Sequence, residues 1–445
     1  MNRREFLALP AAAAVAPARL ATDFQRPRYH FLPPANWMND PNGPIWWKGK
    51  YHLFYQYNPN GAFWGTMHWG HGASRDLVHW EHLPVAFAPT PGGPDKDGVF
   101  TGSAVIHNGV PTVLYTGVRP EVQCLATSDD DLIVWKKYPG NPVIASPPPG
   151  IQPAGFRDPA LWQEQDGWYL VVGSGNKGVG PLILLYHSTD LVHWKYLHPL
   201  FSGKPRAGAD PRNAVASGEM WECPDFFPLG GKHVLIVSTE GTTRYWIGTY
   251  RDHRFQAESD GILDPGAFYA PKSIADAIGR RVLWGWIQER RSVEAQKAAG
   301  WSGVMSLPRI LTLRPDGRLG IAPAPELEKL RSKVRHVPAL PFRAPSDNFE
   351  IFCRIAPGSA QQLGLDLGGL PILYDRGTEP LELRVFSDAS VVEVFANGRS
   401  ARTERIYRAQ AGPVEISLLA KGGQARLERF DVWEIQPIST DRLTS

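Results

Sequence analysis

Short apolar runs separated by turn residues recur along most of the chain. Five copies of one element can be distinguished, each with a polar or turn-rich start, an apolar run, a tight turn containing Gly and a second apolar run. The copies are Asn39 to Tyr57, Phe100 to Gly117, Phe156 to Gly175, Glu222 to Thr239, and Phe268 to Gln288. Their runs are rich in β-branched and aromatic residues, and almost nothing between residues 24 and 320 has a helical period. The pattern therefore predicts strands.

The spacing of the copies indicates how these strands are arranged. Their turn glycines follow one another at intervals of roughly 50–65 residues, which is typical of a repeated sheet. These glycines are Gly49, Gly109, Gly167, Gly230 and Gly279. Five such sheets predict a five-bladed β-propeller over residues 24–325, because radial closure protects the sheet edges and leaves a funnel along the axis. The innermost strand of each blade should line that funnel.

A second phrase, in which a Ser/Asp turn leads to Leu and then to Trp, follows the first three copies. It occupies Ser74 to Trp80, Ser128 to Trp135, and Ser188 to Trp194. Each repeat must bury its apolar side chains against its neighbours. We therefore expect these Leu and Trp side chains to lie in the core between sheets rather than at a ligand.

The repeat fades near residue 325, and a second all-β pattern follows. Between the two, Pro325 to Arg335 has Leu327 and Leu330 at helical spacing and precedes a proline-rich stretch. Residues 326–345 are therefore predicted to form a short helix and a linker. Residues 346–437 alternate apolar and polar positions in several short segments, which predicts a β-sandwich. The predicted fold class is all-β, a five-bladed β-propeller followed by a C-terminal β-sandwich.

The N-terminus has the features of an export signal. Arg3 and Arg4 precede Phe6, Leu7 and an alanine-rich apolar stretch, which is typical of a twin-arginine signal. Residues 1–18 are therefore predicted to be a cleaved signal peptide that sends the protein to the periplasm or the medium, with a disordered tail as the alternative. No later run is long and apolar enough to span a bilayer.

Composition narrows the class of function. The 47 basic and 44 acidic residues give a formal net charge of +3, which does not favour nucleic acid or an anionic membrane as a partner. Three cysteines, an odd and low number for an exported protein, argue against a disulfide framework. The 16 Trp, 14 Tyr and 19 Phe are many for 445 residues. We expect most of them in the core and some to stack on the faces of sugars.

Carboxylates stand at the start of three copies, at Asp40, Asp158 and Glu222. If the copies are equivalent in space, the three acids converge at one end of the funnel. Cleavage of a glycosidic bond with retention needs two carboxyl groups about 5–5.5 Å apart, one as nucleophile and one as proton donor. A third can bind sugar hydroxyls. Arg157 is expected to keep Asp158 ionised, whereas Glu222, beside Trp221 and without an adjacent cation, is expected to hold the proton.

Other interpretations of these residues remain open. A lone Asp before Pro is more often a turn residue than a catalyst, and only the repeated placement favours catalysis. His68, His71, His79 and His82 lie close together in the sequence, but their spacing lacks the paired pattern of a zinc site. No glycine-rich phosphate or nucleotide motif follows a strand. No metal and no cofactor is therefore predicted.

Three motifs resemble those of one enzyme family: WMNDPNG at Trp37 to Gly43, RDP at Arg157 to Pro159, and EC at Glu222-Cys223. With YQYNP, WGTMHWGH, FTGSAV, WGWIQE and WSGVMSLPR, they make the chain similar to glycoside hydrolase family 32, the β-fructofuranosidases. The resemblance implies the same propeller and sandwich. It also implies that Asp40 is the nucleophile, Asp158 the transition-state stabiliser and Glu222 the acid/base.

The resemblance further implies which side chains contact a fructosyl unit. They are Asn39, Gln56, Trp64, Phe100, Thr101, Arg157 and Trp301. Trp284 and Trp286 are alternatives to Trp301 for the same wall. The implied activity is the release of terminal non-reducing β-D-fructofuranosyl units from sucrose or fructans by double displacement. A fructosyltransferase and a sugar-binding propeller without turnover are the alternative functions, and the oligomeric state stays open.

Overall fold

The computed structural model describes residues 17–128, 132–204, 208, 210, 213–440 and 443. The predicted signal peptide, residues 1–18, lies outside this part of the chain except for its last two residues. These begin a short helix, α1 (Pro17–Thr22), which precedes the first blade. None of the described helices is long and apolar enough to cross a membrane.

Five antiparallel sheets form where the sequence has its apolar runs. The first blade contains β1 (Asn36–Trp47), β2 (Lys50–Asn58), β3 (His68–Ser74) and β4 (Trp80–Phe87). The second contains β5 (Val99–His107), β6 (Val110–Gly117), β7 (Val122–Ser128) and β8 (Trp135–Lys137). The third contains β9 (Pro153–Glu164), β10 (Gly167–Asn176), β11 (Gly180–Ser188) and β12 (Lys195–Ser202). The fourth contains β13 (Glu222–Leu229), β14 (Lys232–Thr239), β15 (Thr242–Arg251) and β16 (Arg254–Asp264).

The fifth blade is interrupted by a segment that reaches the first. After β17 (Phe268–Ala275) and β18 (Arg281–Ile287) come α2 (Val293–Ala299), β19 (Trp301–Ser302) and β20 (Val304–Met305). β19 pairs in parallel with β1, whereas β20 pairs with β18. The chain then adds β21 (Arg309–Leu313) and β22 (Leu319–Pro323) to the fifth blade.

The five inner strands close a ring. β1 contacts β5, β5 contacts β9, β9 contacts β13, β13 contacts β17, and β17 contacts β1 again. The predicted five-bladed propeller is therefore confirmed. Its hairpins also lie where the sequence placed them: Gly49 and Gly109, for example, have φ of +81° and +78°, a backbone conformation that favours glycine.

Each inner strand carries a β-bulge at an equivalent place. Two of its residues oppose a single residue of the neighbouring strand, and these pairs are Asn39–Asp40, Phe100–Thr101, Asp158–Pro159, Cys223–Pro224 and Ala270–Pro271. A bulge bends the strand and redirects its side chains, and it tolerates proline because the ladder is interrupted there. Five equivalent bulges thus bring the starts of the predicted copies together around one axis.

The Leu positions of the second phrase and Trp80 lie in the core as predicted, while Trp135 and Trp194 are half-buried and pack against it. Leu77, Leu132 and Leu191 are buried. In each case the Trp Nε1 donates to the carbonyl oxygen of that Leu, at distances of 3.1, 2.8 and 2.8 Å. The phrase is therefore a packing device that recurs in three blades.

Two sheets form the C-terminal sandwich. Its strands are β23 (Arg335–His336), β24 (Phe342–Ala344), β25 (Asn348–Ala356), β26 (Gln362–Leu367), β27 (Pro371–Asp375), β28 (Leu381–Asp388), β29 (Val391–Ala396), β30 (Ser400–Arg405), β31 (Val414–Lys421) and β32 (Arg426–Glu434). The order is β23-β32-β25-β28-β29-β30 in one sheet and β24-β31-β26-β27 in the other. The segment expected to be a linker thus supplies two short strands, β23 and β24.

The helix expected before this linker is shorter than the sequence suggested. It is a 3-10 helix, Pro325–Leu330, in which Leu327 and Leu330 are buried. Arg331 has extended backbone and forms a bridge with Ile435. The helix ends there because the chain is already joining the sandwich.

A buried network of charged side chains joins the two domains, and we call it the interface cluster: Asp264, Asp388, Glu393, Arg309 and His30. Arg309 Nη1 lies 2.9 Å from Asp264 Oδ2 and its Nη2 lies 2.6 Å from Glu393 Oε2. His30 Nδ1 lies 2.8 Å from Asp388 Oδ2 and its Nε2 lies 3.0 Å from Glu393 Oε1. All five side chains are fully buried. Two carboxylate partners indicate that His30 is a doubly protonated imidazolium.

Candidate active site

The three predicted acids lie in one cavity of about 380 Å³ at the end of the funnel nearest the bulges. Its lining consists of Asn39, Asp40, Gln56, Trp64, Phe100, Thr101, Glu121, Arg157, Asp158, Glu222, Tyr269 and Trp286. The structure therefore brings together every predicted site residue except Trp301. The volume is at the small end for ligand pockets, which suits a compact polar ligand.

Asp40 is held by neutral donors on the bulge of β1. Its Oδ2 accepts a hydrogen bond from Thr101 Oγ1 at 2.8 Å, and its Oδ1 accepts one from Asn39 Nδ2 at 3.0 Å. Trp37 Nε1 in turn donates to Asn39 Oδ1 at 2.7 Å, which fixes the amide. The carboxylate is thus oriented without any hydrogen bond from a cation among the described residues.

Cys223 connects two of the acids. Its Sγ lies 3.4 Å from Asp40 Oδ2 and 3.4 Å from Asp158 Oδ2, and its backbone N–H donates to Asp158 Oδ2 at 2.9 Å. At the bulge of β13 its φ is +49°, a conformation uncommon for a residue other than glycine. Burial, followed by the charges of Asp158 and Asp40, raises the pKa of Cys223. The side chain is therefore a neutral thiol, whose single S–H lies within reach of both carboxylates and donates to one of them at a time.

Glu222 is held by a cation, contrary to its sequence context. Arg157 Nε and Nη2 both donate to Glu222 Oε1, at 3.0 and 2.7 Å, while Tyr269 OH donates to Glu222 Oε2 at 3.0 Å. Arg157 Nε lies 4.0 Å from Asp158 Oδ2, a longer separation. The sequence context, which placed no cation next to Glu222, was therefore a poor guide to this contact, because neighbouring side chains on a bulged strand point in different directions. Arg157 also opposes the rise that burial causes in the pKa of Asp158, as its place in the sequence predicted.

The electrostatics of the cavity favour protonated carboxyl groups. Burial raises the pKa of Asp40, and the charge of Glu222 adds to that rise. Burial also raises the pKa of Asp158, with Arg157 opposing the rise and Glu222 supporting it. Like charges that share a poorly solvated site do not all ionise easily, so the pKa values of Asp40 and Asp158 depend on the carboxylates around them.

Aromatic and polar side chains form the rest of the wall. Trp64 is 55% exposed at the mouth and meets Phe100 edge to face, with ring centroids 6.2 Å apart. Deeper in the cavity, Gln56 Oε1 and Trp286 Nε1 are buried and have no hydrogen-bond partner among the described residues. Buried polar atoms are normally satisfied, so these two atoms are exceptions among the residues that line the cavity.

Trp301 requires a correction. It is 1% exposed and lies outside the cavity, where its Nε1 donates to Asp23 Oδ2 at 2.7 Å and Arg291 stacks 4.1 Å from its ring. β19 carries this residue away from the funnel to pair with β1. Trp286 on β18 takes the place in the wall that the sequence left open between three tryptophans.

Two lining residues were not predicted from the sequence. Tyr269 occupies, in the fifth copy, the position that Glu222 has in the fourth, so the alignment of copies contained the signal. Glu121 comes from the hairpin between β6 and β7, and its Oε1 accepts a hydrogen bond from Arg157 Nη1 at 2.8 Å. No repeat marks Glu121, and its role depends on a contact between blades. In the described part of the chain, no group of His, Cys, Asp and Glu has the arrangement of a metal site.

A cluster of acids that faces a small polar cavity is typical of the active site of a glycoside hydrolase. Comparison with protein families agrees. The glycosyl hydrolases family 32 N-terminal domain matches residues 30–323, and the glycosyl hydrolases family 32 C-terminal domain matches residues 343–434. The chain belongs to glycosyl hydrolase family 32.

Individual relatives align over nearly the whole chain. Sucrose-6-phosphate hydrolase from Escherichia coli is 36% identical and covers 92% of this chain and 94% of its own length. Raffinose invertase from Escherichia coli is 34% identical, with coverages of 92% and 94%. The crystal structure of fructan 1-exohydrolase IIa from Cichorium intybus has a TM-score of 0.81 at 28% identity, with coverages of 93% and 98%. A Bombyx mori family 32 β-fructofuranosidase in complex with sucrose has a TM-score of 0.77 at 30% identity, with coverages of 95% and 96%.

Proposed function

We propose that the protein is a retaining β-fructofuranosidase that releases terminal fructosyl units from sucrose or from fructans. The observation that carries the proposal is the convergence of Asp40, Asp158 and Glu222, from three blades, on one cavity lined with polar and aromatic side chains. Family membership and the activities in the names of the relatives support it.

The chemistry assigns one role to each acid. Asp40, oriented by Thr101 and Asn39, attacks the anomeric carbon, while Glu222 delivers a proton to the leaving oxygen. Glu222 then removes a proton from water, which releases fructose from the covalent intermediate. Asp158, fixed by the backbone of Cys223, binds sugar hydroxyls and stabilises the positive charge that develops on the ring.

Arg157 has to change partners during this cycle. In the structure its guanidinium contacts both Glu222 and Glu121 through charge-assisted hydrogen bonds. An acid catalyst must hold a proton when the substrate is bound. We infer that the hydroxyl groups of the fructosyl unit take over donors of Arg157, so that binding of the substrate prepares Glu222 for protonation.

Charge favours a substrate without phosphate. Arg157 is the one cation among the described residues that line the cavity, and it is already paired with two carboxylates. Four acidic side chains share the same lining, namely Asp40, Glu121, Asp158 and Glu222. A phosphate group would meet net negative charge there, so we propose sucrose or a fructan rather than a phosphorylated sucrose.

The exposed Trp64 and the small volume of the cavity support attack at chain ends. The test is the product mixture released by the purified mature protein from sucrose, sucrose 6-phosphate, inulin and levan. Free fructose without larger fragments would support the exo-acting hydrolase, and oligosaccharides from the polymers would contradict the exo mode. Longer oligosaccharides from concentrated sucrose would instead favour a fructosyltransferase. No turnover of any of the four by folded protein would favour a binding role.

We also propose export through residues 1–18. The support is the sequence Arg3-Arg4 ahead of an apolar stretch. Fractionation of cells that produce the full chain should recover the protein outside the cytoplasm. Replacement of both Arg3 and Arg4 by Lys should retain it inside, whereas unchanged fractionation would contradict a twin-arginine signal.

A further inference from the structure

The funnel continues beneath the acids. On the inner strands of the second to fifth blades, Ser103, Ala160, Asp225 and Lys272 follow the bulge within one or two residues. At the far end of the funnel lies a second cavity of about 350 Å³, whose wall includes Ser103, Ala160, Asp225 and Lys272. Lys272 is therefore a cation at the axis of the propeller, between the acids and this second cavity.

Lys272 is buried and aimed at the backbone that holds Asp158. Its side chain is among the largest that are fully buried, at 1% exposure. Its Nζ donates to the carbonyl oxygen of Pro224 at 2.8 Å. Pro224 belongs to the same bulge as Cys223, whose N–H and Sγ both contact the Asp158 carboxylate. The carbonyl group that Lys272 contacts thus lies two peptide units after the N–H group that holds Asp158, on the same bulge.

A charge in this place affects the carboxylates above and beside it. The positive charge of Lys272 opposes the rise that burial causes in the pKa of Asp158, and it does the same for Asp225 on the neighbouring strand. A buried ammonium group is unfavourable unless nearby groups compensate its charge, because desolvation of a charge costs free energy. Four carboxylates and one paired cation among the described residues that line the cavity leave negative charge to be offset.

We propose that Lys272 is a positioning residue of the active site, which fixes the Cys223–Pro224 bulge and places a positive charge beneath Asp158. The inference rests on the proposed function, since it concerns the same three acids. It gives a role to a residue that lies outside the lining of the active-site cavity and does not contact the substrate.

Charged and titratable groups from four inner strands surround Asp158. Arg157 comes from its own strand, Asp40 from β1, Glu222 and Cys223 from β13, and Lys272 from β17. Lys272 also faces Asp225, which accepts a hydrogen bond from Ser273 Oγ at 2.5 Å and feels the charge of Arg281. Removal of Lys272 therefore leaves Arg157 as the remaining cation near Asp158, and Arg157 is shared with Glu222 and Glu121.

The experiment is the pH dependence of kcat/KM for sucrose in Lys272→Gln and Lys272→Arg. Gln keeps a donor for Pro224 but loses the charge, whereas Arg keeps both. With the cation gone, the carboxylates that must be ionised hold their protons to higher pH, so we expect the acidic limb of Lys272→Gln to move upward by about half a pH unit or more. Lys272→Arg should keep the limb close to that of the unmodified enzyme.

A surface lysine provides the matched control. Lys232 Nζ contacts Glu258 at 2.8 Å on the outside of the fourth blade. Lys232→Gln removes the same charge and introduces the same side chain, and we expect no movement of the acidic limb. An equal shift in both Gln variants would overturn the inference, because the effect would then follow net charge alone.

Each remaining outcome decides the matter. A folded Lys272→Gln with lower stability and an unmoved acidic limb would overturn the inference and leave Lys272 as a counter-ion of Asp225. Lys272→Met, of similar volume and without charge, is prepared in parallel. Failure of both neutral variants to fold, with Lys272→Arg folded and active, would likewise favour the structural role. No turnover by the unmodified enzyme would defeat the proposed function itself, a result distinct from an unmoved limb.

Discussion

Two buried groups of three carboxylates lie in this molecule, and they are built in opposite ways. In the interface cluster, Asp264, Asp388 and Glu393 meet Arg309 and His30 across the domain boundary, and every side chain is fully enclosed. In the active site, the acids Asp40, Asp158 and Glu222 surround an open cavity, and Arg157 reaches chiefly one of them. The first group is compensated within the protein, whereas the second is left short of positive charge.

The pKa values show the consequence of this difference. Burial alone would raise the pKa of Glu393, yet Arg309 and His30 hold it below the usual range of a glutamate. Burial raises the pKa of Asp40, and the charge of Glu222 raises it further, because no cation among the described residues donates a hydrogen bond to Asp40. Carboxylates that are paired with cations stabilise the domain interface. Carboxylates that lack such partners remain available to stabilise a ligand that develops positive charge.

The largest expected difference between the two groups of carboxylates is the effect of a substitution at Asp40. We expect Asp40→Asn to lower kcat/KM for sucrose by about 10³-fold or more, because the amide cannot attack the sugar. The same change removes like-charge repulsion, so the midpoint of thermal unfolding should stay the same or rise. Turnover at the unmodified rate, measured as fructose release, would contradict the assignment of the nucleophile.

A substitution at Glu222 distinguishes a loss of proton transfer from a loss of substrate binding. Glu222→Ala should lower the rate on sucrose by about 10²–10⁴-fold, since the leaving oxygen then departs without a proton. A fructoside with an activated aryl leaving group needs little protonation and should lose much less. The two substrates are assayed side by side, and an equal loss on both would count against the role as acid.

Glu393 tests the opposite half of the comparison. Glu393→Gln leaves Arg309 and His30 without their shared carboxylate, so we expect the free energy of unfolding to fall by about 3–5 kcal/mol. Denaturant titration measures that loss. The kcat/KM per folded molecule should be unchanged, because the residue lies outside the cavity lining. A large loss of activity with full stability would erase the distinction between the two clusters.

The smallest expected effect is the pH dependence of the interface cluster. Burial lowers the pKa of His30, but its hydrogen bonds to Asp388 and Glu393 outweigh burial and raise it above the value of an ordinary histidine. A raised pKa in the folded state means that the stabilisation is fully present below about pH 6.5 and is lost as pH rises through the higher value. The difference in unfolding free energy between the unmodified protein and His30→Gln should therefore shrink above neutral pH, by up to about 1.4 kcal/mol per pH unit. A difference that grows with pH would contradict a charged His30.

Repeats made the fold and most of the cavity predictable from sequence. Copies of one element locate equivalent strands, and equivalent strands in a closed ring bring Asp40, Asp158 and Glu222 to one axis. The exchange of Arg157 from Asp158 to Glu222 was not predictable, because it depends on the turn of the backbone at a bulge. Trp301 was misplaced for a related reason, since β19 leaves its own blade to pair with β1.

That parallel pairing between β1 and β19 also sets an order of events during synthesis. Asn36 and Trp37, close to Asp40, find their partners Trp301 and Ser302 only after the inner strands of all five blades have left the ribosome. Contacts of such long sequence separation form late and slowly. A nascent or truncated chain that ends before this pairing lacks the strand that joins the fifth blade to the first, so hydrolytic activity reports on the joining of the first and last blades and not on any single blade.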